Sequence, residues 1–114
     1  MKIHFDKALN VFSISVFVFV LTSCSEPMKK HIPKSYTVEI KAMQFQPAEL
    51  SVQKGDTVLF INHDMLVHNV TEEKNKAWSS PSLAPGDSYQ MVVNESSGYY
   101  CSLHPVMKGK LLSE

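Results

Sequence analysis

Cys101, His104 and Met107 stand three residues apart within Gly98-Tyr99-Tyr100-Cys101-Ser102-Leu103-His104-Pro105-Val106-Met107-Lys108-Gly109. A tight loop between two strands can turn a thiolate, an imidazole and a thioether at that spacing toward one point. His68, inside Asn62-His63-Asp64-Met65-Leu66-Val67-His68-Asn69-Val70, can add a fourth donor from a neighbouring strand end. Two imidazoles and a thiolate in a trigonal set, with a weak axial thioether, are the ligand combination of a blue-copper electron-transfer site. Sulfur suits the cuprous state and imidazole tolerates both states, so neither is strongly favoured.

Each of these residues also has a plainer role open to it. Cys101 can be a buried thiol or the disulfide partner of Cys24, the other cysteine in the chain. Met107 can fill core space, as methionine often does. His104 beside Pro105 has no obvious core function. His63, five residues before His68, reads as a rim residue on the surface. Trp78, Tyr99 and Tyr100 read as packing residues, and Glu72, Glu73, Lys74 and Lys76 as a solvated loop of mixed charge.

The elements that must position the donors are strands. From Tyr36 onward the pattern has a period of two, with Tyr36, Val38 and Ile40 alternating with Thr37, Glu39 and Lys41. Further strands are predicted at Leu50–Gln53, Thr57–Asn62, Asn69–Glu72, Ser88–Asn94, Gly98–Ser102 and Lys110–Ser113. Lys54-Gly55-Asp56, Ala84-Pro85-Gly86-Asp87 and Ser96-Ser97-Gly98 supply the breaks. No stretch supports a long amphipathic helix. Seven to eight short strands in this span point to an all-β fold, a two-sheet antiparallel sandwich.

The front of the chain has a different character. Lys2 and Lys7 precede an apolar stretch, Val11–Leu21, that is too short to span a bilayer comfortably. It ends in Leu21-Thr22-Ser23-Cys24, which resembles a bacterial lipobox, and this implies a signal over 1–23 that is removed to leave a lipidated Cys24. Such a terminus carries more than one acyl chain and anchors stably to a membrane. The implied location is the bacterial periplasmic face of a membrane, and Ser25 after the cysteine favours the outer membrane in a Gram-negative host. Residues 24–35 then form a polar tether, with Pro27 and Pro33 keeping it extended, ahead of a domain over 36–114.

Composition narrows the partners. The 114 residues hold eleven basic and eleven acidic side chains, all the basic ones lysine, for zero formal charge. Nucleic-acid binding needs a concentrated basic face, which this balance does not provide. Two cysteines cannot make a disulfide-dense scaffold for so small a core, so a bound metal is an expected source of added stability.

The domain resembles the cupredoxins, most closely the amicyanin, plastocyanin and pseudoazurin group, in a Greek-key sandwich. The resemblance rests on Phe45-x-Pro47-x-x-Leu50, Gly55-Asp56-Thr57-Val58, Ile61-Asn62, His68-Asn69-Val70, Pro85-Gly86 and Gly98-x-Tyr100-Cys101-x-x-His104-Pro105-x-Met107. The Cys-x2-His-x2-Met spacing is the short amicyanin type. The resemblance implies His68, Cys101, His104 and Met107 as ligands of one type 1 copper, with the Asn69 backbone N–H donating to the thiolate sulfur. It also implies a monomeric, non-enzymatic electron carrier that meets redox partner proteins through His104, amid Met65, Leu66, Pro105 and Val106. Two departures stand out. The stretch from His68 to Cys101 is shorter than in those relatives, and Leu103 stands where amicyanin and plastocyanin have proline. A leucine amide there could donate a second hydrogen bond to the sulfur. The alternative function is copper storage, tolerance or delivery in the envelope. A multicopper oxidase or nitrite reductase fits poorly, since only His31 and His63 remain as further histidines after the leader and the four ligands are set aside.

Overall fold

The computed structural model describes residues 16–23, 27 and 29–114. Cys24, on which the lipid-anchor reading depends, and most of the leader lie outside the described residues. Among the described residues, no helix is long and apolar enough to cross a membrane.

Eight strands follow in order: β1 Ser35–Lys41, β2 Gln44–Gln46, β3 Glu49–Val52, β4 Thr57–Asn62, β5 Thr71–Glu72, β6 Ser88–Val92, β7 Ser97–Cys101 and β8 His104–Ser113. They form two four-stranded sheets, ordered β2-β1-β4-β6 and β3-β8-β7-β5. The sandwich is as expected, but the sheets are mixed. β1 runs parallel to β4, and β3 runs parallel to β8.

Alternation in β4 shows why the sequence folds this way. Val58, Phe60 and Asn62 are buried while Thr57, Leu59 and Ile61 are partly covered, so one face of the strand supplies the core. Val38 and Ile40 of β1 do the same from the adjacent strand. Tyr99 of β7 sits at the centre, with Phe45 and Phe60 edge-on at 4.8 and 5.2 Å between ring centroids. Its ring covers Gly109, its register partner on β8, where any Cβ would run into the ring. Burial pushes the Tyr99 hydroxyl well above the usual phenol range, and that hydroxyl finds no hydrogen-bond partner among the described residues. Trp78 packs against the same core at partial burial, so both aromatics are packing residues.

The spans of β3, β6 and β7 lie within two residues of the sequence reading, and the larger differences, at β2, β5 and β8, each have a physical reason. β2 was not anticipated, because three residues carry too little periodicity. It forms through a two-residue hairpin, with Lys41 opposite Gln44 and both Ala42 and Met43 at positive φ. β5 is shorter than 69–72 because His68 bridges Leu83 and the Asn69 amide turns to the site. β8 begins at His104 rather than Lys110, since Ser102 and Leu103 alone make the turn back from Cys101.

The 73–77 loop is also more ordered than its charges implied. Glu72 is buried, and its carboxylate accepts the backbone N–H groups of Lys74, Asn75 and Ala77. These bonds, led by that from Asn75, hold its pKa below the ordinary value. The chain ahead of β1 is likewise held to the sandwich. His31 Nε2 lies 2.6 Å from Oδ1 of fully buried Asp56, which also accepts the Lys34 and Gln53 amides.

Candidate metal centre

The β7–β8 turn brings two of the expected donors together directly. Cys101 and His104 are cross-strand partners, and the register then jumps so that Lys108 faces Tyr100. Pro105, Val106 and Met107 therefore bulge from the ladder, a position that suits a proline with no N–H to give. Met107 is buried in the same core cluster as Cys101. His68 arrives on the connection between β4 and β5, fixed by a reciprocal pair of backbone bonds with Leu83 at 3.1 and 2.7 Å.

The result is a triangle of donor atoms. His68 Nδ1 is 3.8 Å from Cys101 Sγ, His104 Nδ1 is 3.7 Å from it, and the two ring nitrogens are 3.1 Å apart. A first-row metal with bonds of about 2.0–2.1 Å to nitrogen and about 2.3 Å to sulfur can hold three donors at such separations. A thiolate with two imidazoles is also the donor chemistry that suits copper. His68 and Cys101 are wholly buried, while His104 is half-buried at the surface.

The surroundings hold the donors in place. The Asn69 amide donates to Cys101 Sγ at 3.4 Å, as the resemblance implied. The Asn69 side chain accepts from the Ser102 amide at 2.8 Å and donates to Ser102 Oγ, fastening the turn to the His68 segment. No hydrogen bond joins the Leu103 amide to the sulfur among the described residues, so the suggested second donor is not formed. Cys101 is a free, buried thiol.

Asp64 was not singled out from the sequence. Its Oδ2 lies 2.9 Å from His68 Nε2 and 3.1 Å from the Met43 amide, and its Oδ1 accepts from the Met65 amide. Bonding to His68, then to Met43, holds its pKa below the usual carboxylate value. The only signal available was its spacing of four residues before His68. His63 is exposed, with Glu39 at 3.8 Å, and stays apart from the donors. The segments that carry the two histidines expose apolar side chains: Met65 is 90% exposed and Val106 87%, with Leu66, Val67 and Leu103 also open.

The copper binding proteins of the plastocyanin/azurin family match residues 33–114. Among curated relatives, amicyanin of Paracoccus denitrificans is 32% identical over 83 residues, 68% of this chain and 63% of that protein. The match thus spans under two thirds of that relative's length. Amicyanin-alpha of Methylorubrum extorquens is 33% identical over 86 residues, 70% of this chain and 72% of its own. Among solved structures, a purple cupredoxin from Nitrosopumilus maritimus superposes with a TM-score of 0.64 at 27% identity, over 68% of this chain and 98% of that one. Family match, sandwich and donor triangle converge, and the chain belongs to the plastocyanin/azurin family of copper binding proteins, with one type 1 copper as its cofactor.

Proposed function

We propose that this protein is a one-electron carrier whose copper is held by His68, Cys101, His104 and Met107. The observation that carries the reading is the triangle of His68 Nδ1, Cys101 Sγ and His104 Nδ1, with edges of 3.1 to 3.8 Å. When bound, the ion supplies a Cu(II)/Cu(I) couple. Cys101 and His68 exclude water from two sides by their burial. Met107, buried in the same core cluster as Cys101, would supply its thioether as the fourth ligand. His104 reaches the surface within the apolar rim of Met65, Leu66 and Val106, where a redox partner can dock briefly.

Residues 1–23 are a signal that is removed, Cys24 carries the lipid, and residues 24–35 tether a monomeric domain over 36–114 to an envelope membrane. The His31–Asp56 contact shortens the free tether to the residues before His31. Anchoring then raises the local concentration of the domain near membrane-bound partners.

Retention of copper separates this role from copper delivery. The reduced, copper-loaded protein is carried through repeated oxidation and reduction beside an equimolar Cu(I) chelator. A carrier keeps its copper and its full reversible signal through the cycles. Transfer of the copper to the chelator within the first cycles would contradict the proposal and favour storage or delivery.

A further inference from the structure

We propose that Asp64 is a positioning residue for the copper centre: its carboxylate fixes the His68 ring in the tautomer that presents Nδ1 to the metal and lowers the reduction potential of the site. The inference rests on the copper reading above and concerns a side chain that is not itself a ligand.

The geometry carries it. Asp64 Oδ2 is 2.9 Å from His68 Nε2, on the ring edge away from Cys101 and His104. The same carboxylate accepts two backbone amides, Met43 to Oδ2 and Met65 to Oδ1. A carboxylate that accepts from two amides is an acceptor toward the ring as well, so His68 Nε2 carries the proton and donates it. Nδ1 is then left with its lone pair toward the thiolate and His104. The partner nitrogen of a metal-bound imidazole sets both ring orientation and donor strength.

The carboxylate is also preorganised. The Asp64 amide donates to Asn62 Oδ1 at 2.9 Å, closing a local turn. Asn62 Nδ2 in turn donates to the Leu66 and Leu83 carbonyls, both at 2.8 Å. Asn62 is fully buried, so the loop that carries Asp64 is fastened to β4 and to the Leu83 segment that holds His68. A negative charge one ring away from the ion favours the more positive Cu(II) state, and a more basic imidazole does the same.

The test compares copper-loaded wild type, Asp64→Asn and Asp64→Ala. The asparagine variant keeps an acceptor oxygen for a backbone amide, which guards against a simple failure to fold. The expected result is a Cu(II)-to-Cu(I) affinity ratio about tenfold lower in the variants, a rise in potential of about 59 mV for one electron. In the diamagnetic Cu(I) form, the His68 Nε2–H resonance should also exchange with solvent faster than in wild type. Lowered thermal stability with an unmoved potential and an unmoved Nε2–H resonance would reduce Asp64 to a purely structural role and overturn the proposal. The wild-type visible spectrum, recorded from the same preparation, separates the two levels. Absence of a thiolate-to-copper band there would overturn the copper reading and this inference with it.

Discussion

The two ends of β4 carry the same chemical pair with different consequences. Before the strand, His31 meets Asp56 at 2.6 Å; after it, His68 meets Asp64 at 2.9 Å. In both, a histidine Nε2 faces a carboxylate that also accepts two backbone amides. The first pair fastens the incoming chain to the sandwich. The second aims a ring nitrogen at a thiolate and another imidazole. A histidine–carboxylate contact is therefore no sign of a metal site by itself; the occupants of the other ring edge decide.

The largest expected effect contrasts the two histidines. His68→Ala removes a donor from the triangle and should abolish the intense visible band of the copper-loaded protein. His31→Ala should leave that band unchanged and lower the melting temperature by at most a few degrees, because the pair is part-exposed on the histidine side. Loss of the band in His31→Ala, measured by visible absorption, would break the comparison.

A second difference appears in acid. Bonding to the Lys34 amide, with further help from Gln53 and His31 and against the cost of burial, holds the Asp56 carboxyl at about 2 rather than the ordinary 3.8. A carboxyl whose folded pKa is depressed stabilises the fold above its unfolded value and loses that contribution as pH falls through the folded one. The melting-temperature gap between copper-free wild type and Asp56→Asn should therefore be full above about pH 4 and narrow toward pH 2. A gap that stayed constant across that range would show that the carboxylate charge contributes nothing.

The smallest effect concerns the turn between the donors. Leu103→Pro should leave the reduction potential within a few millivolts of wild type, since the Leu103 amide makes no hydrogen bond to Cys101 Sγ. A clear fall in potential, read by voltammetry, would restore that amide as a second donor to sulfur.

What could be read from the sequence divides along the same line. The 57–62 strand was legible because an unbroken apolar run, Val58–Ile61, follows the Gly55-Asp56 break, and the Cys101, His104 and Met107 spacing exposed one side of the site. β2 was hidden because a three-residue strand has almost no period of its own. The early start of β8 was hidden because a two-residue turn followed by a three-residue bulge looks like one long loop. Parallel pairing of β1 with β4 and of β3 with β8 is a property of the tertiary arrangement, and local alternation is the same in either direction. His31 and Asp56 are 25 residues apart, so nothing local joined them. Glu72 was read as one charge in a solvated loop because its partners are backbone amides, which composition cannot reveal.

The central claim is that His68, Cys101 and His104 assemble around one copper. The most direct test is the visible absorption and electron paramagnetic resonance of the protein with one equivalent of Cu(II), beside a Cys101→Ser control. An intense thiolate-to-copper band with narrow copper hyperfine splitting, bleached reversibly by reductant and absent from the control, is the predicted result. A colourless protein, or an ordinary cupric spectrum identical in the control, would contradict it.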